Sequence, residues 1–325
     1  MKNLLALFIF LCSSNAIAQD LAQNIKVHDP VIIKQDSTFY IFATGKGIAK
    51  WSSIDMINWT REKPVFENPP EWAIKDVLGF KDHIWAPDIS FYNGKYYLFY
   101  SVSVFGKNNS AIGLTTNKTL NENDPNYKWI DQGKIIQSIP RETDWNAIDP
   151  NLIIDQKGNP YLAFGSFWGG LKLVKLTKDS LKVDGSLNDI TTIANRRAAN
   201  VKTGANAIEA PFIYQKDKYY YLFASIDYCC KAEKSTYKVI VGRADKVTGP
   251  YKDKEGKNLT EGGGSIVVSG NKNWYGVGHN AVAIFNKQDY LVFHGYDASD
   301  KGISKLLIRK FKWQNGWPTA DLYEE

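Results

Sequence analysis

The chain has 325 residues, a formal net charge of +6, an aromatic content of 14% and three cysteines. Its positive charge is spread without a basic block, which argues against a nucleic-acid surface, and no apolar run is long enough to span a bilayer. With so few cysteines the fold does not rest on a disulfide framework.

In chain order, Met1-Lys2-Asn3 opens a basic start, residues 4–12 are apolar, and Ala16-Ile17-Ala18 closes the stretch. That order predicts a secretory signal peptide over residues 1–18, cut near Ala18. It leaves a single catalytic-sized domain over 19–325 in a secreted or periplasmic protein.

The rest of the sequence repeats. Asp29-Pro30, Trp85-Ala86-Pro87, Asp149-Pro150, Glu209-Ala210-Pro211 and His279-Asn280 each open a short apolar run. A turn follows, such as Asn93-Gly94 or Lys157-Gly158, and then an aromatic strand such as Tyr96-Tyr97-Leu98-Phe99 or Tyr219-Tyr220-Tyr221-Leu222-Phe223. The lead residues are about 56, 64, 60 and 70 positions apart, enough for roughly four strands per unit. The expected fold is all-β, a five-bladed β-propeller, in which equivalent positions of every blade surround one channel. Trp51, Trp59, Trp129, Trp313 and Trp317 read as packing between blades. The alternating stretch 306–313 reads as a strand that completes a blade begun near the N-terminus.

Asp29, Trp85, Asp149, Glu209 and His279 should therefore converge, and three of the five are acids. Carboxylates crowded into one channel cannot all ionise freely, so their pKa values spread apart. Glycoside hydrolysis needs that division into one proton donor and one base. Asp88 is out of phase in this alignment and is given no catalytic part. Trp85, Phe105, Phe167 and Trp168 are candidate sugar platforms, and Asn151 and Ser166 candidate hydrogen-bonding partners for sugar hydroxyls. His28 and His294 read as structural. Adjacent Cys229 and Cys230 are either two packed thiols or a vicinal bridge. No His-Glu-x-x-His or cysteine cluster suggests catalytic zinc, and Gly262-Gly263-Gly264-Ser265 lacks the lysine of a phosphate loop.

Several segments, in order along the chain, carry a more specific likeness: His28-Asp29-Pro30, His83-Ile84-Trp85-Ala86-Pro87-Asp88, Ala147-Ile148-Asp149-Pro150-Asn151, Gly165-Ser166-Phe167-Trp168-Gly169-Gly170, Ile208-Glu209-Ala210-Pro211, Ser225-Ile226-Asp227-Tyr228-Cys229-Cys230 and Gly276-Val277-Gly278-His279-Asn280. In these the chain resembles glycoside hydrolase family 43, in particular its endo-α-1,5-L-arabinanase branch. The resemblance implies an inverting hydrolase of arabinan in plant cell walls. It implies Asp29 as general base, Glu209 as general acid and Asp149 as the group that orients Glu209 and raises its pKa. It also implies a calcium ion bound by His279. An exo-acting arabinofuranosidase or β-xylosidase shares those acids, and a non-catalytic sugar-binding propeller would keep only the aromatic platforms.

Overall fold

The five repeated hairpins form because alternating apolar residues meet turns that suit left-handed backbone. Asn93 and Gly94 have φ of 46° and 76°, and Asn286 and Lys287 of 50° and 64°, the pair of positive angles a two-residue hairpin turn needs. The computed structural model describes residues 21–196 and 206–322. The signal-peptide stretch lies outside the described residues.

Each hairpin gains a third and fourth strand and becomes one blade. Blade one is Val31–Gln35, Thr38–Ala43, Ala49–Ser53 and Thr60–Arg61; blade two is His83–Tyr92, Lys95–Val102, Ser110–Asn117 and Ile130–Ser138, with Gly45–Lys46 added at its inner edge. Blade three is Asn151–Ile154, Pro160–Phe164, Leu171–Lys175 and Thr191–Ala194; blade four is Ile208–Lys216, Tyr219–Ile226, Lys238–Ala244 and Ser265–Ser269. Blade five takes Trp274–Phe285, Gln288–Asp297 and Ile303–Lys310 from the C-terminal part and Leu21–Lys26 from the N-terminal part. All pairings within blades are antiparallel.

Ring closure therefore runs opposite to the sequence expectation. The strand Ile303–Lys310 stays in its own blade, and the N-terminal strand travels to it, pairing Leu21 with Ile308 and Ala22 with Leu307. Residues Lys312–Gln314 and Trp317–Thr319 make a separate small ribbon.

The core lies between neighbouring blades. Phe42 and Ile48 of blade one pack with Leu98 and Tyr100 of blade two; Trp51 packs with Phe285 and Val292 where blade one meets blade five. Trp129 meets Phe42 edge-on, and Trp313 and Trp317 meet Tyr221, so the five tryptophans do sit among inter-blade contacts. Burying each such ring contributes about 1.5–3 kcal/mol, so the seams between blades hold the ring together. Among the described residues no helix is long and apolar enough to cross a membrane.

Candidate active site

Each innermost strand begins with a kink. Asp29, Ala86, Asp149, Ala210 and His279 have φ between 41° and 57°, one left-handed residue per blade. The ladders skip residues there, between Trp85 and Asp88, Glu209 and Phe212, and Gly278 and Ala281, as β-bulges do. The blade alignment read from sequence is thus one residue out in blades two and four. Ala86 and Ala210 are the structural equivalents of Asp29, with Trp85 and Glu209 one residue earlier and Asp88 in phase with Asn151.

Non-glycine residues at such angles cost about 1–3 kcal/mol each and persist only where surroundings fix them. Here a side chain of the preceding blade catches the kinked N–H. Ala86 N–H donates to Thr44 Oγ1 (2.8 Å), Asp149 N–H to Ser101 Oγ (3.0 Å), His279 N–H to Ser225 Oγ (2.8 Å) and Asp29 N–H to His294 Nδ1 (3.1 Å). Blade three has Gly165 at the corresponding place and no side chain to offer. There Ala210 N–H donates instead to Asp149 Oδ2 (3.1 Å), which ties this carboxyl to the residue next to Glu209.

The three acids line one cavity of about 1130 Å³, together with Trp85, Phe105, Ser166, Phe167, Trp168 and His279. Asp29 Oδ1 faces His28 Nδ1 at 2.8 Å and His279 Nδ1 at 3.0 Å, and Thr44 Oγ1 donates to Oδ2 at 2.5 Å. Burial pushes the Asp29 carboxyl up. The charges and hydrogen bonds of His279 and His28 outweigh it and hold the group well below the usual carboxylate range. His279 is itself disfavoured as a cation by burial, yet Asp29, Asp149 and Glu209 raise it to about 9. His294 Nδ1 is 3.7 Å from Asp29 Oδ1 but accepts the Asp29 N–H, and burial beside His28 holds this ring well below the usual imidazole range. It is a neutral acceptor and makes no ion pair.

Asp149 behaves oppositely. Burial first, and then the Glu209 and Asp29 charges against the relief from His279, raise it to about 8. Glu209 accepts two hydroxyl hydrogen bonds, from Tyr237 to Oε1 at 2.7 Å and from Ser166 to Oε2 at 2.8 Å. Burial and the neighbouring acids push the Tyr237 phenol far up, so it remains a donor. Gly276 and Gly278 make room for Tyr237: a Cβ on Gly278 would overlap its ring, and one on Gly276 would lie 2.8 Å from its backbone nitrogen. That is the physical reason for glycine at both places before His279.

The aromatic walls are pre-shaped. Trp85 and Phe105 meet edge-on at 6.4 Å, and Phe167 and Tyr228 meet at a tilt of 39° with their centroids 6.2 Å apart. Phe167 and Trp168 have φ of 54° and 34°, and Asn206 Nδ2 holds the strained turn by donating to Trp168 O at 2.6 Å. Ser166 reaches the site through Glu209. Asn151 is placed elsewhere. It is 2% exposed, its Nδ2 donates to Asp88 Oδ1 (3.3 Å) and its Oδ1 accepts from Ile213 N–H (2.8 Å). Both ends of the amide are used to join blades two, three and four, so it is a latch between blades and does not meet the groove. Asp88, raised by burial to about 6, completes this latch by accepting from Leu152 N–H at 2.8 Å.

Below the carboxylates, Pro30, Pro87, Pro150, Pro211 and Asn280 ring a small axial cavity of about 10 Å³, the size that holds a single water. Asn280 interrupts the prolines, and its buried Oδ1 and Nδ2 have no hydrogen-bond partner among the described residues. Asp29 fixes the His279 ring through Nδ1. That leaves Nε2 of the deprotonated ring as the one His279 atom that would hold a hydrated calcium ion, with waters as the remaining oxygen ligands.

Residues given no role from sequence are as much a part of the site. Thr44, Ser101 and Ser225 end the second strand of their blades, and that recurring hydroxyl was a readable signal. Tyr237 and Tyr296 had none, because their hydroxyls arrive from outside the repeated motif.

The comparisons with known proteins agree with this geometry. A family model for glycosyl hydrolases family 43 matches residues 23–318. An extracellular exo-α-(1→5)-L-arabinofuranosidase of Cellvibrio japonicus is 46% identical over 98% of this chain and 92% of its own, and an extracellular endo-α-(1→5)-L-arabinanase of Bacillus subtilis is 44% identical over 92% and 88%. The solved structure of a Cellvibrio cellulosa α-L-arabinanase with arabinohexaose superposes with a TM-score of 0.88 at 46% identity, covering 91% of this chain and 96% of that one. With the family model spanning nearly all of the described residues and the five-bladed frame shared with these relatives, the chain belongs to glycosyl hydrolases family 43.

Proposed function

We propose that this enzyme hydrolyses α-1,5-linked L-arabinan by internal cleavage, with inversion at the anomeric carbon, and that it is exported, residues 1–18 serving as its signal. The observation that carries the reading is the convergence of Asp29, Asp149 and Glu209 in one aromatic-walled cavity, with Asp29 set between His28 and His279 and Glu209 held by two hydroxyls.

Asp29, fixed by Thr44, His28 and His279, takes a proton from water on one face of the sugar. Glu209, fixed by Tyr237 and Ser166, gives a proton to the departing glycosidic oxygen. Asp149 holds the backbone next to Glu209, and burial with the crowding of the neighbouring acids keeps a proton on Asp149 at neutral pH, beside the proposed acid. Trp85, Phe105, Phe167 and Trp168 offer flat apolar faces to the arabinose rings. His279 would hold calcium through Nε2, and the ion when bound would supply a fixed positive charge near the acids.

The names of the relatives support arabinan as the substrate and an extracellular location. The 46% identity to an exo-acting relative favours terminal cleavage as a second reading. Chromatography of the products from linear arabinan separates the two: mixed short oligosaccharides mean internal cutting, and a single released sugar means terminal cutting. Glu209→Ala and Asp29→Ala should each lower turnover about 10²–10⁴-fold, and unchanged turnover in either removes that residue from the mechanism.

A further inference from the structure

One part of the cavity wall has no place in this mechanism. Cys229 and Cys230 are joined by a disulfide, and both line the cavity. Cys230 Sγ lies 3.7 Å from His28 Nε2, and one ligand atom from each of His28, Cys229 and Cys230 falls within 4.8 Å of the others. Cys230 is exposed and the other two are half-buried, so the cluster is open to solutes that enter the groove. Two sulfurs and one imidazole nitrogen are the ligands that soft cations prefer. The disulfide masks them, because the sulfur donors a metal needs are thiolates.

We propose that reduction of Cys229–Cys230 unmasks, with His28, a three-ligand site for a thiophilic divalent cation on the wall of the active-site groove. A dithiol reductant supplies two electrons and two protons: its own sulfurs close into a cyclic disulfide, the Cys229–Cys230 bond breaks, and each cysteine becomes a thiol. Cation binding forms two metal–sulfur bonds and releases those two thiol protons to solvent. The third bond comes from the His28 Nε2 lone pair, which gives up its 2.8 Å hydrogen bond with Tyr296. His28 Nδ1 still faces Asp29 Oδ1, so the bound cation places positive charge one imidazole ring away from the proposed base. Occupation of the site weakens Asp29 as a base and narrows the groove, and the enzyme is inhibited only in its reduced form.

The test uses the full chain and Cd²⁺ alone as the probe. The protein is reduced with a dithiol, desalted without oxygen, and titrated while the ultraviolet sulfur-to-metal charge-transfer band is followed; activity is read in parallel. The expected result is one Cd²⁺ per chain, a band that appears only after reduction, and inhibition that follows the band and is reversed by a chelator. Cys229→Ala and Cys230→Ser should each weaken binding at least about tenfold, and His28→Gln should weaken it while the band remains. The same Cd²⁺ affinity in oxidised and reduced protein, no band after reduction, or unchanged affinity in the single cysteine variants would overturn the proposal. Because the band is measured without polysaccharide, its absence is distinguishable from a failure of the proposed hydrolytic function.

Discussion

Tyr237→Phe isolates one contact of the proposed acid. The substitution removes a hydroxyl and keeps the ring that packs over Gly278. The lost bond is 2.7 Å long, part-buried, and made to a carboxylate that Ser166 also contacts. A hydrogen bond to a charged group is worth about 1.5–3 kcal/mol, and 1.36 kcal/mol corresponds to one pKa unit. A donor to a carboxylate stabilises its ionised form, so removing the donor makes the acid pair hold its proton more tightly. In the wild type, kcat/KM should fall on the alkaline side near pH 8, where burial and the Glu209 charge hold the Asp149 proton, and on the acid side below the usual carboxylate range, where Asp29 finally protonates. In the variant the alkaline limb should move up by about one to two units while the acid limb stays in place. The maximum should drop about tenfold because Glu209 is less well aimed. The assay is the pH dependence of kcat/KM on linear arabinan, which reports the free enzyme's groups. An alkaline limb that stays put or moves down would refute the reasoning.

Gly278→Ala should reproduce that shift and also lower thermal stability, because its methyl would drive the Tyr237 ring away from Glu209; a variant with wild-type pH profile and melting temperature would show that the glycine is not required there. Asn151→Ala should cost about 2–4 kcal/mol of stability by leaving Asp88 Oδ1 and the Ile213 N–H without their partner, read as a fall of several degrees in a calorimetric scan. If Asn151 touched sugar instead, KM would rise with stability unchanged. Chelation followed by calcium add-back should lower and then restore thermal stability or activity, and no response in either would count against calcium at His279.

Much of this site was legible because a propeller repeats its chemistry. Five hairpins with similar leads had to converge, and Asp29, Asp149, Glu209, Trp85 and His279 do share one cavity. What stayed hidden depends on contacts between segments far apart in sequence. The one-residue offset at Glu209 comes from a bulge, and the Ala-Pro that follows Glu209 and Trp85 was its only trace. Asn151 looked like a polar groove residue because its neighbours Asp149 and Pro150 face the axis, yet Asp88 and Ile213 on the two flanking blades consume both ends of its amide. Lys50 reads as an ordinary strand lysine but is fully buried, held by Glu62 at 2.6 Å, Leu120 O at 2.9 Å and Glu122 at 3.3 Å. No local pattern announces a cation whose partners lie twelve and seventy positions away. Ring closure by the N-terminal strand was missed for a like reason: alternation identifies a strand but not the edge it joins.

The most direct measurement of the central claim is proton NMR of the first sugar released from an α-linked arabino-oligosaccharide, taken before mutarotation. Water activated by Asp29, opposite an acid at Glu209, should deliver the β-anomer first. An α-anomer as the first product would mean retention, and Asp29 could not be the base this geometry makes it.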